Sequence, residues 1–257
     1  MSARFDFSII ICSHQPHRAA IARAHFETLF VHRAFEIIMI PDAKSICEGY
    51  NRGFAQSSGA MIVFSHDDIE FVDAGLPERL ESHLRKFDVI GVAGTTLLTG
   101  GAWVSEGDPH AFALFVYPDA QDGRVLVKAC GRGGLAIGDI QALDGCFMAA
   151  TRAAVEAISF DAETFDGFHL YDLDFSFRAY LRGLKVAVCR DLAPIHASTG
   201  KPDEHWQRYR LRFEKKFAMS LARPQNNPTR VVQVRLTKAA LVEFISDGGP
   251  ARMITAL

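Results

Sequence analysis

The chain has 257 residues, a length that fits one large α/β domain or one domain with a tail. Its formal net charge of −2 provides no basic field, so nucleic acid is not an expected partner. Its five cysteines are widely spread and form no C-x-x-C pair, which argues against a disulfide framework or a cysteine zinc site and fits a reducing compartment. No apolar run approaches the ~20 residues of a membrane span, and the N-terminal apolar stretch is too short for a secretory signal. We therefore expect a soluble, cytoplasmic protein without a transmembrane segment.

The first part of the chain alternates between short apolar runs and helical patterns. Phe7–Cys12, Phe35–Ile40 and Met61–Phe64 are typical of parallel strands covered on both faces. Helices are predicted from Pro16 and after the capping residue Ser45. This order predicts a doubly wound α/β unit with right-handed crossovers.

The later segments extend this sheet, interrupt it and end in a tail. Residues 99–134 are rich in Gly and Pro with interleaved aromatic residues, which predicts an irregular hairpin insert with exposed aromatic side chains and of functional importance. Residues 1–222 are expected to form one domain, and 223–257 a C-terminal tail with a strand at Val231–Leu236 and a helix at Lys238–Ile245. Further strands are predicted at 88–93, 124–129, 143–150 and 185–189, and helices at 77–87, 152–158, 173–184 and 203–218.

Two adjacent carboxylates follow the third strand. Asp67 and Asp68 come after His66 in the stretch FSHDDIEF. Ligands of open α/β sheets sit just beyond the carboxyl ends of the strands. Carboxylate oxygens placed there suit Mg²⁺ or Mn²⁺ carrying a phosphorylated substrate. The alternative is that both residues are turn or helix-capping residues.

A second acidic group and a histidine follow later in the chain. Asp172 and Asp174 lie where a helix begins, so capping is one interpretation of both. Arg178 lies four residues after Asp174, which makes Asp174 the expected structural member and leaves Asp172 free to act as a general base. His196, after a strand in PIHAS, would complete an aspartate-based metal site and suit Mn²⁺ better than Mg²⁺. The alternative is an ordinary polar histidine.

Five blocks of the chain occur in the order FSIIICS, AKSICEGYNRGFAQSSGAMIVFSHDDIEF, ALDGCFMAATRAA, GFHLYDLDFSFRAYLRGLKVAV and PIHAS. In this order they resemble the motifs of family 2-like glycosyltransferases with the GT-A fold. The resemblance covers about Phe7 to Phe217 and implies a mixed, mostly parallel α/β sheet flanked by helices. The Q-x-x-R-W motif of processive members is absent, and Gln207–Tyr209 echoes it only weakly, which favours transfer of a single sugar.

The resemblance implies catalytic and metal-binding roles. His66-Asp67-Asp68 matches the acidic D-x-D motif, with His66 in place of the first acid. This implies that Asp68 is a direct metal ligand, and that His66 or Asp67 contacts the ribose or metal-bound water. The family's E-D pair reads Tyr171-Asp172 in this chain, which implies that Asp172 is the base, and His196 matches a further metal ligand.

The resemblance also implies donor and acceptor contacts. Ser13 and Asp42 match positions that contact the nucleobase or ribose, and Asn51 matches a helix residue near the donor. Asp144 lies in the strand that faces the acceptor. The Gly-rich insert with Trp103 is expected to close over the acceptor, since aromatic faces stack on sugar rings. The alternative is a mobile surface hairpin.

These roles predict an inverting, metal-dependent transfer of one sugar from a nucleotide sugar, favouring a UDP-sugar, to a hydroxyl of a glycan or other acceptor. The departing diphosphate needs a Lewis acid, here Mn²⁺ or Mg²⁺, and the attacking hydroxyl needs a base within hydrogen-bond reach. The transition state should resemble an oxocarbenium ion.

One alternative is a non-catalytic sugar-nucleotide or glycan-binding module. A sugar-phosphate nucleotidyltransferase is disfavoured because CSHQPHR lacks a Gly-rich phosphate loop. The sequence leaves donor, acceptor and oligomeric state open.

Overall fold

The computed structural model of the chain describes residues 4–119, 123–198, 200, 202–225 and 227–256. Within these ranges, no helix combines the length and the apolarity needed to cross a bilayer. The strands are β1 (Phe5–Cys12), β2 (Phe35–Ile40), β3 (Gly59–Ser65), β4 (Ile69–Glu70), β5 (Val89–Gly91), β6 (Ala93–Thr95), β7 (Ala111–Pro118), β8 (Val125–Cys130), β9 (Ala136–Ile137), β10 (Ala142–Leu143), β11 (Phe147–Thr151), β12 (Val186–Cys189), β13 (Ile195–His196) and β14 (Val231–Leu236). The α-helices are α1 (Pro16–Leu29), α2 (Ile46–Gln56), α3 (Leu76–Leu84), α4 (Arg152–Ile158), α5 (Tyr171–Leu181), α6 (Glu204–Lys216), α7 (Lys238–Ser246) and α8 (Gly249–Thr255), and a 3₁₀ helix spans Trp103–Glu106.

The first sheet has seven strands in the order β2-β1-β3-β11-β5-β12-β9. β1 pairs in parallel with β2 and β3, and β5 pairs in parallel with β12. β11 runs antiparallel to both β3 and β5, and β9 runs antiparallel to β12. Five of the seven strands therefore point the same way, which confirms the predicted mostly parallel α/β sheet.

Helices cover both faces of this sheet. Because successive strand residues point to opposite faces, each central strand contributes side chains to two cores. Ile10 of β1 packs into a core that contains buried residues of α2, α4, α5 and α6. Ile9 and Ile11 belong to the opposite core, which contains buried residues of α1 and α3. The uninterrupted apolar run of β1 is thus explained by burial on both sides.

Two segments predicted as single strands are each divided between two sheets. The predicted segment 88–93 contains β5 and the first residue of β6. The predicted segment 143–150 contains the end of β10 and most of β11. β5 and β11 pair in the first sheet, whereas β6 and β10 pair in the second. Gly94 permits the β6–β10 pairing, because a Cβ there would collide with the carbonyl oxygen of Ala142. The division creates a turn between β10 and β11 that the sequence pattern did not indicate.

The second sheet joins the insert to the C-terminal segment. β7 and β8 form the predicted hairpin, and β14 pairs along the length of β8. Leu241 and Ile245 of α7 and Ile254 of α8 pack into a core with Leu114 and Val127 of the hairpin. The strand and helix expected in the tail are present, together with the unpredicted α8. The domain boundary at residue 222 stays a prediction.

Candidate functional site

Pairing of β4 with β13 brings two predicted metal ligands together. His196 is the register partner of Ile69, and the amide of Ala197 donates to the carbonyl of Asp68 at 3.1 Å. His196 Nε2 lies 3.3 Å from Asp68 Oδ1, and His66 Nδ1 lies 3.9 Å from the same oxygen. One ligand atom from each of His66, Asp68 and His196 falls within 4.8 Å of the others. We call these three residues the metal group, since one carboxylate and two imidazoles fit a divalent transition ion.

The pKa shifts of Asp68 and His66 suit metal ligation by these two residues. Burial acts to raise the pKa of Asp68, but the hydrogen bond and charge of His196 outweigh it and lower the pKa to about 2. Burial, reinforced by the charge of His196, lowers the pKa of His66. An ionised carboxylate and a neutral imidazole are the forms that bind metal.

A cleft of about 260 Å³ lies beside the metal group, where β1 and β3 end. Ser13 Oγ donates to Asp67 Oδ2 at 2.5 Å, and Arg18 Nη1 lies 4.0 Å from Asp67 Oδ1. Two adjacent parallel strands therefore present polar side chains to one opening, as expected at the ligand-binding edge of such a sheet. The cleft is lined by Cys12, Ser13, His14, Gln15, Arg18, Ile46, Tyr50, His66, Asp67 and Phe168.

Two residues predicted to contact the donor have other partners. Asp42 is exposed, and its Oδ1 lies 2.9 Å from Arg52 Nη2. Asn51 Nδ2 donates to the carbonyl of Phe160 at 2.8 Å, and Asn51 Oδ1 accepts from the Phe160 amide at 2.9 Å. Asn51 therefore anchors the backbone that follows α4. Neither residue is among those lining the cleft, and donor contact by either stays a prediction.

The turn between β10 and β11 connects Asp172 to the metal group. Asp172 Oδ2 accepts from the amide of Gly145 at 2.7 Å. The hydroxyl of Tyr171 donates to the carbonyl of Gly145 at 3.0 Å and lies 2.8 Å from His66 Nε2. A Cβ at Gly145 would lie 2.5 Å from both Asp172 Cβ and Tyr171 Oη, so the close approach of this turn to α5 requires glycine.

The pKa of Asp172 is shifted towards neutrality. Burial raises the pKa of its carboxyl to about 7, and the negative charge of Asp144 adds to this effect. Backbone hydrogen bonds from Leu173 and Gly145 oppose the rise. A carboxyl with a pKa near neutrality can accept a proton from a reacting group at physiological pH.

Asp174 has a different environment on the same helix. Its side chain is completely buried, with Arg178 Nη2 at 2.7 Å and Lys216 Nζ at 2.5 Å. The predicted pairing of Asp174 with Arg178 is confirmed. Because both cations hold its carboxylate inside the protein, Asp174 acts as a structural link between α5 and α6.

Trp103 and Asp144, both expected on the acceptor side, contact each other. Trp103 Nε1 donates to Asp144 Oδ2 at 3.3 Å, and the amide of Cys146 donates to Asp144 Oδ1 at 3.1 Å. Trp103 is only 9% exposed, and its ring packs near that of Phe115. The expectation of an exposed aromatic insert is wrong for Trp103, since its indole is enclosed and orients Asp144. Direct contact of either residue with an acceptor stays a prediction.

Two residues of the site, Tyr171 and Gly145, were not singled out from the sequence. Tyr171 occupies the first position of the pair that ends in Asp172, where the resemblance implies an acid. The available signal was that Tyr171 and His66 are both departures from acidic motifs. The spacing of the two motifs along the chain did not indicate that the side chains of Tyr171 and His66 contact each other.

Comparison with models of protein families gives a match over most of the chain. The model of a family described as "Glycosyltransferase like family" matches residues 8–218. Comparison with curated proteins gives no significant match.

The solved structures to which the chain is similar are distant. S. aureus TarS 1-349 in complex with UDP-GlcNAc is 12% identical with a TM-score of 0.45, covering 79% of this chain and 60% of that chain. The mannosyltransferase PcManGT from Pyrobaculum calidifontis, in complex with GDP-Man and Mn²⁺, is 9% identical with a TM-score of 0.48, covering 81% and 61%. A mutant of a Drosophila galactosyltransferase 7, in complex with manganese, UDP-Gal and xylobiose, is 12% identical with a TM-score of 0.46, covering 79% of both chains. The chain spans about three fifths of the first two proteins, and at such TM-scores the likenesses assign no donor, metal or acceptor.

Proposed function

The chain belongs to the glycosyltransferase-like family, and on that premise we propose that it transfers one sugar from a nucleotide sugar to a hydroxyl acceptor with inversion. We propose a UDP-sugar as the donor. The observation that carries the proposal is the convergence of Asp68 and His196 beside a cleft at the ends of β1 and β3. A divalent ion and a diphosphate suit an ionised carboxylate and an imidazole at this edge of an α/β sheet.

Asp68 and His196 are the residues proposed to hold the divalent ion. Their donor atoms are 3.3 Å apart, and both side chains are mostly buried. An imidazole in the donor set favours Mn²⁺ over Mg²⁺. When bound, such an ion supplies positive charge that offsets the charge developing on the departing diphosphate.

The cleft is proposed to bind the nucleotide. Ser13 and Asp67 are already joined at 2.5 Å, so a ribose hydroxyl would meet an oriented pair of oxygen atoms. Phe168 is 48% exposed at the rim and contacts His14 edge to face, with ring centroids 5.9 Å apart. An exposed aromatic face at this position is suited to stacking on a nucleobase.

Asp172 is proposed to remove the proton of the acceptor hydroxyl. The Gly145 amide holds its Oδ2 at 2.7 Å and so fixes the orientation of the carboxylate. A positioned base of this kind contributes about 10²–10⁴-fold to the rate. Attack on the sugar from the face opposite the diphosphate inverts the anomeric carbon.

Replacement of the proposed base tests the mechanism directly. We expect Asp172→Asn to reduce transfer by at least about 10²-fold while Mn²⁺-dependent UDP binding persists, because the amide keeps the shape but cannot accept the proton. Asp247→Asn, at an exposed aspartate after α7, is the matched control and should retain activity. Full activity in Asp172→Asn would remove Asp172 as the base.

A panel of nucleotides and nucleotide sugars tests the donor class. A ligand that binds only the folded chain raises its stability by about 2.7 kcal/mol at a concentration of 100 Kd. We expect UDP and one UDP-sugar to raise the melting temperature in the presence of Mn²⁺ and to have little effect without it. Binding of UDP without turnover of any nucleotide sugar would favour a non-catalytic binding module instead.

A further inference from the structure

The two departures from the acidic motifs contact each other. His66 precedes the aspartates at the end of β3, and Tyr171 begins α5, 105 residues later. Tyr171 Oη nevertheless lies 2.8 Å from His66 Nε2. Tyr171 is buried, with its ring beside those of Tyr50 and Phe160. The two residues therefore form a single contact whose hydrogen bonds can be assigned.

The hydrogen bonds of Tyr171 fix the tautomer of His66. A tyrosine hydroxyl carries one proton, and the carbonyl of Gly145, 3.0 Å away, can only accept. The hydroxyl therefore donates to Gly145, and its oxygen accepts from Nε2–H of His66. This assignment from the hydrogen-bond network places the proton of the neutral imidazole on Nε2 and the lone pair on Nδ1.

The unprotonated nitrogen faces the metal group. His66 Nδ1 lies 3.9 Å from Asp68 Oδ1, a separation too long for a hydrogen bond. It is, however, suited to two ligands of one ion, because each would be ~2 Å from the metal. The rings of His66 and His196 stand edge to face with centroids 5.4 Å apart, so both imidazoles border the same space.

We propose that His66 is a third protein ligand of the divalent ion, through Nδ1, and that Tyr171 is the positioning residue that fixes its tautomer. The inference rests on the proposed function, which assigns only Asp68 and His196 to the ion. Metal-bound histidines usually donate their other ring N–H to an oxygen, and removal of that partner weakens metal binding about 10–100-fold. Here the oxygen belongs to a hydroxyl that is itself held by the Gly145 backbone.

Calorimetric titration of the full chain with Mn²⁺ alone tests the proposal. We expect Tyr171→Phe to weaken Mn²⁺ binding about 10–100-fold, because the ring packing is retained but the tautomer is released. His66→Ala should weaken binding at least as much. The double variant should bind no more weakly than His66→Ala, since Tyr171 acts only through His66.

Matched controls separate this effect from a general loss of stability. Tyr209→Phe removes another buried tyrosine hydroxyl, one that donates to Asp166 at 2.9 Å outside the metal group. His83→Ala removes another mostly buried histidine, whose partner is Asp191. Both controls should bind Mn²⁺ like the unaltered chain. Unchanged Mn²⁺ affinity in Tyr171→Phe, or fully additive losses in the double variant, would overturn the proposal.

A spectroscopic measurement on the unaltered chain does not depend on any variant folding. Two-bond ¹H–¹⁵N spectra of the imidazoles report which ring nitrogen is protonated. We expect the Nε2–H form for His66, identified by the signal that His66→Ala loses or by sequential assignment. The Nδ1–H form would refute the assignment made from Tyr171 and Gly145.

The outcomes also separate this inference from the proposed function. If Mn²⁺ affinity depends on His66 and Tyr171 but no nucleotide sugar is bound or turned over, the metal assignment stands and the transferase proposal fails. If a UDP-sugar is turned over with Mn²⁺ while Tyr171→Phe keeps full Mn²⁺ affinity, only the third-ligand inference fails.

Discussion

At the residue scale, Asp172 and Asp174 are separated by one residue on α5 and have opposite electrostatic environments. Asp174 is enclosed with two cations, Arg178 and Lys216. Asp172 accepts a hydrogen bond from the backbone amide of Gly145 and faces the negative charge of Asp144. The two cations stabilise the carboxylate of Asp174 in the folded chain, whereas burial and the charge of Asp144 disfavour the carboxylate of Asp172 and outweigh its backbone hydrogen bonds. This difference provides two predictions for Asp172.

The first prediction concerns the pH dependence of turnover. Because burial and Asp144 raise the pKa of Asp172 to about 7, we expect kcat to fall as the pH drops below that value and the base becomes protonated. Initial rates at saturating donor and Mn²⁺ across the neutral range measure this. Burial raises the pKa values of the neighbouring thiols and phenols, which therefore stay neutral over that range. The titratable groups facing Asp172 are Asp144, Cys47, Tyr50, Cys146 and Tyr171. A flat kcat profile through pH 7 would argue against Asp172 as the base.

The second prediction concerns stability. The pKa of Asp172 rises from 3.8 to about 7 in the folded chain, so the folded state binds this proton more tightly than the unfolded state. The resulting stabilisation is complete below pH 3.8 and is lost as the pH rises through 7. Asparagine has no such proton. Relative to the unaltered chain, the free energy of unfolding of Asp172→Asn should therefore increase by about 4 kcal/mol between acidic and alkaline pH, since each pKa unit corresponds to about 1.4 kcal/mol. Urea unfolding at both extremes measures the difference, and a constant difference would contradict the prediction.

At the element scale, Asp174 ties α5 to the end of α6. Lys216 also binds Asp161, and the guanidinium of Arg178 also donates to the carbonyl of Ile158, so removal of Asp174 leaves both cations with some partners. We expect Asp174→Ala to lower the free energy of unfolding by about 2–4 kcal/mol, near the lower end for a broken buried pair. Urea titration measures the loss. The kcat per folded molecule should stay unchanged, and a loss of kcat at unchanged stability would instead place Asp174 in the active site.

The turn between β10 and β11 is the element most sensitive to a small substitution. In Gly145→Ala the added methyl group would meet Asp172 Cβ and Tyr171 Oη at 2.5 Å, so the turn and α5 must separate. A displacement of about 1 Å in a catalytic group can cost 10²-fold, and we expect kcat to fall by at least tenfold. Steady-state kinetics with donor and Mn²⁺ tests this. Gly134→Ala, where the nearest atom is 3.7 Å away, is the control. Equal kcat in both variants would contradict the prediction.

Elements bounded by clear turn and capping residues were predictable from the sequence. The bounds of β2 and α4 agree with prediction, because a proline follows the first and a threonine cap precedes the second. The division of residues 88–95 and 142–151 between two sheets was not predictable, since an apolar run indicates burial and not the identity of its partner strand. The pairing of Asp174 with Arg178 could be predicted because the two residues lie four positions apart on one helix. The contact of Tyr171 with His66 depends on tertiary packing.

At the scale of the whole molecule, the site lies where the two sheets meet. The first sheet contributes the ends of β1 and β3, with Ser13 and Asp67 at the cleft. The second contributes the β4–β13 pair that carries His196 beside Asp68. Lys238 of α7 binds Glu70 of β4 at 2.6 Å, so the C-terminal segment also contacts the strand that follows the metal group.

The C-terminal segment is expected to be required for a soluble fold. Removal of residues 223–257 would leave β8 as an unpaired edge and expose core residues such as Leu114 and Val127. Exposed apolar edges promote association, so the shortened chain should aggregate. Size-exclusion chromatography with light scattering compares it with the full chain. A monomeric shortened chain with an unchanged melting temperature would contradict this and support an independent domain ending at residue 222.

The β4–β13 pairing also makes the site sensitive to the length of a loop. His196 lies opposite Ile69 in a ladder of only two residues per strand. Adjacent strand residues point to opposite faces, so deletion of one residue between Leu192 and Pro194 would shift His196 out of its place beside Asp68. Every residue of the metal group would remain in the sequence, and the group itself would be lost. The number of residues that separate β12 from β13 is therefore as much a part of the metal group as its three side chains.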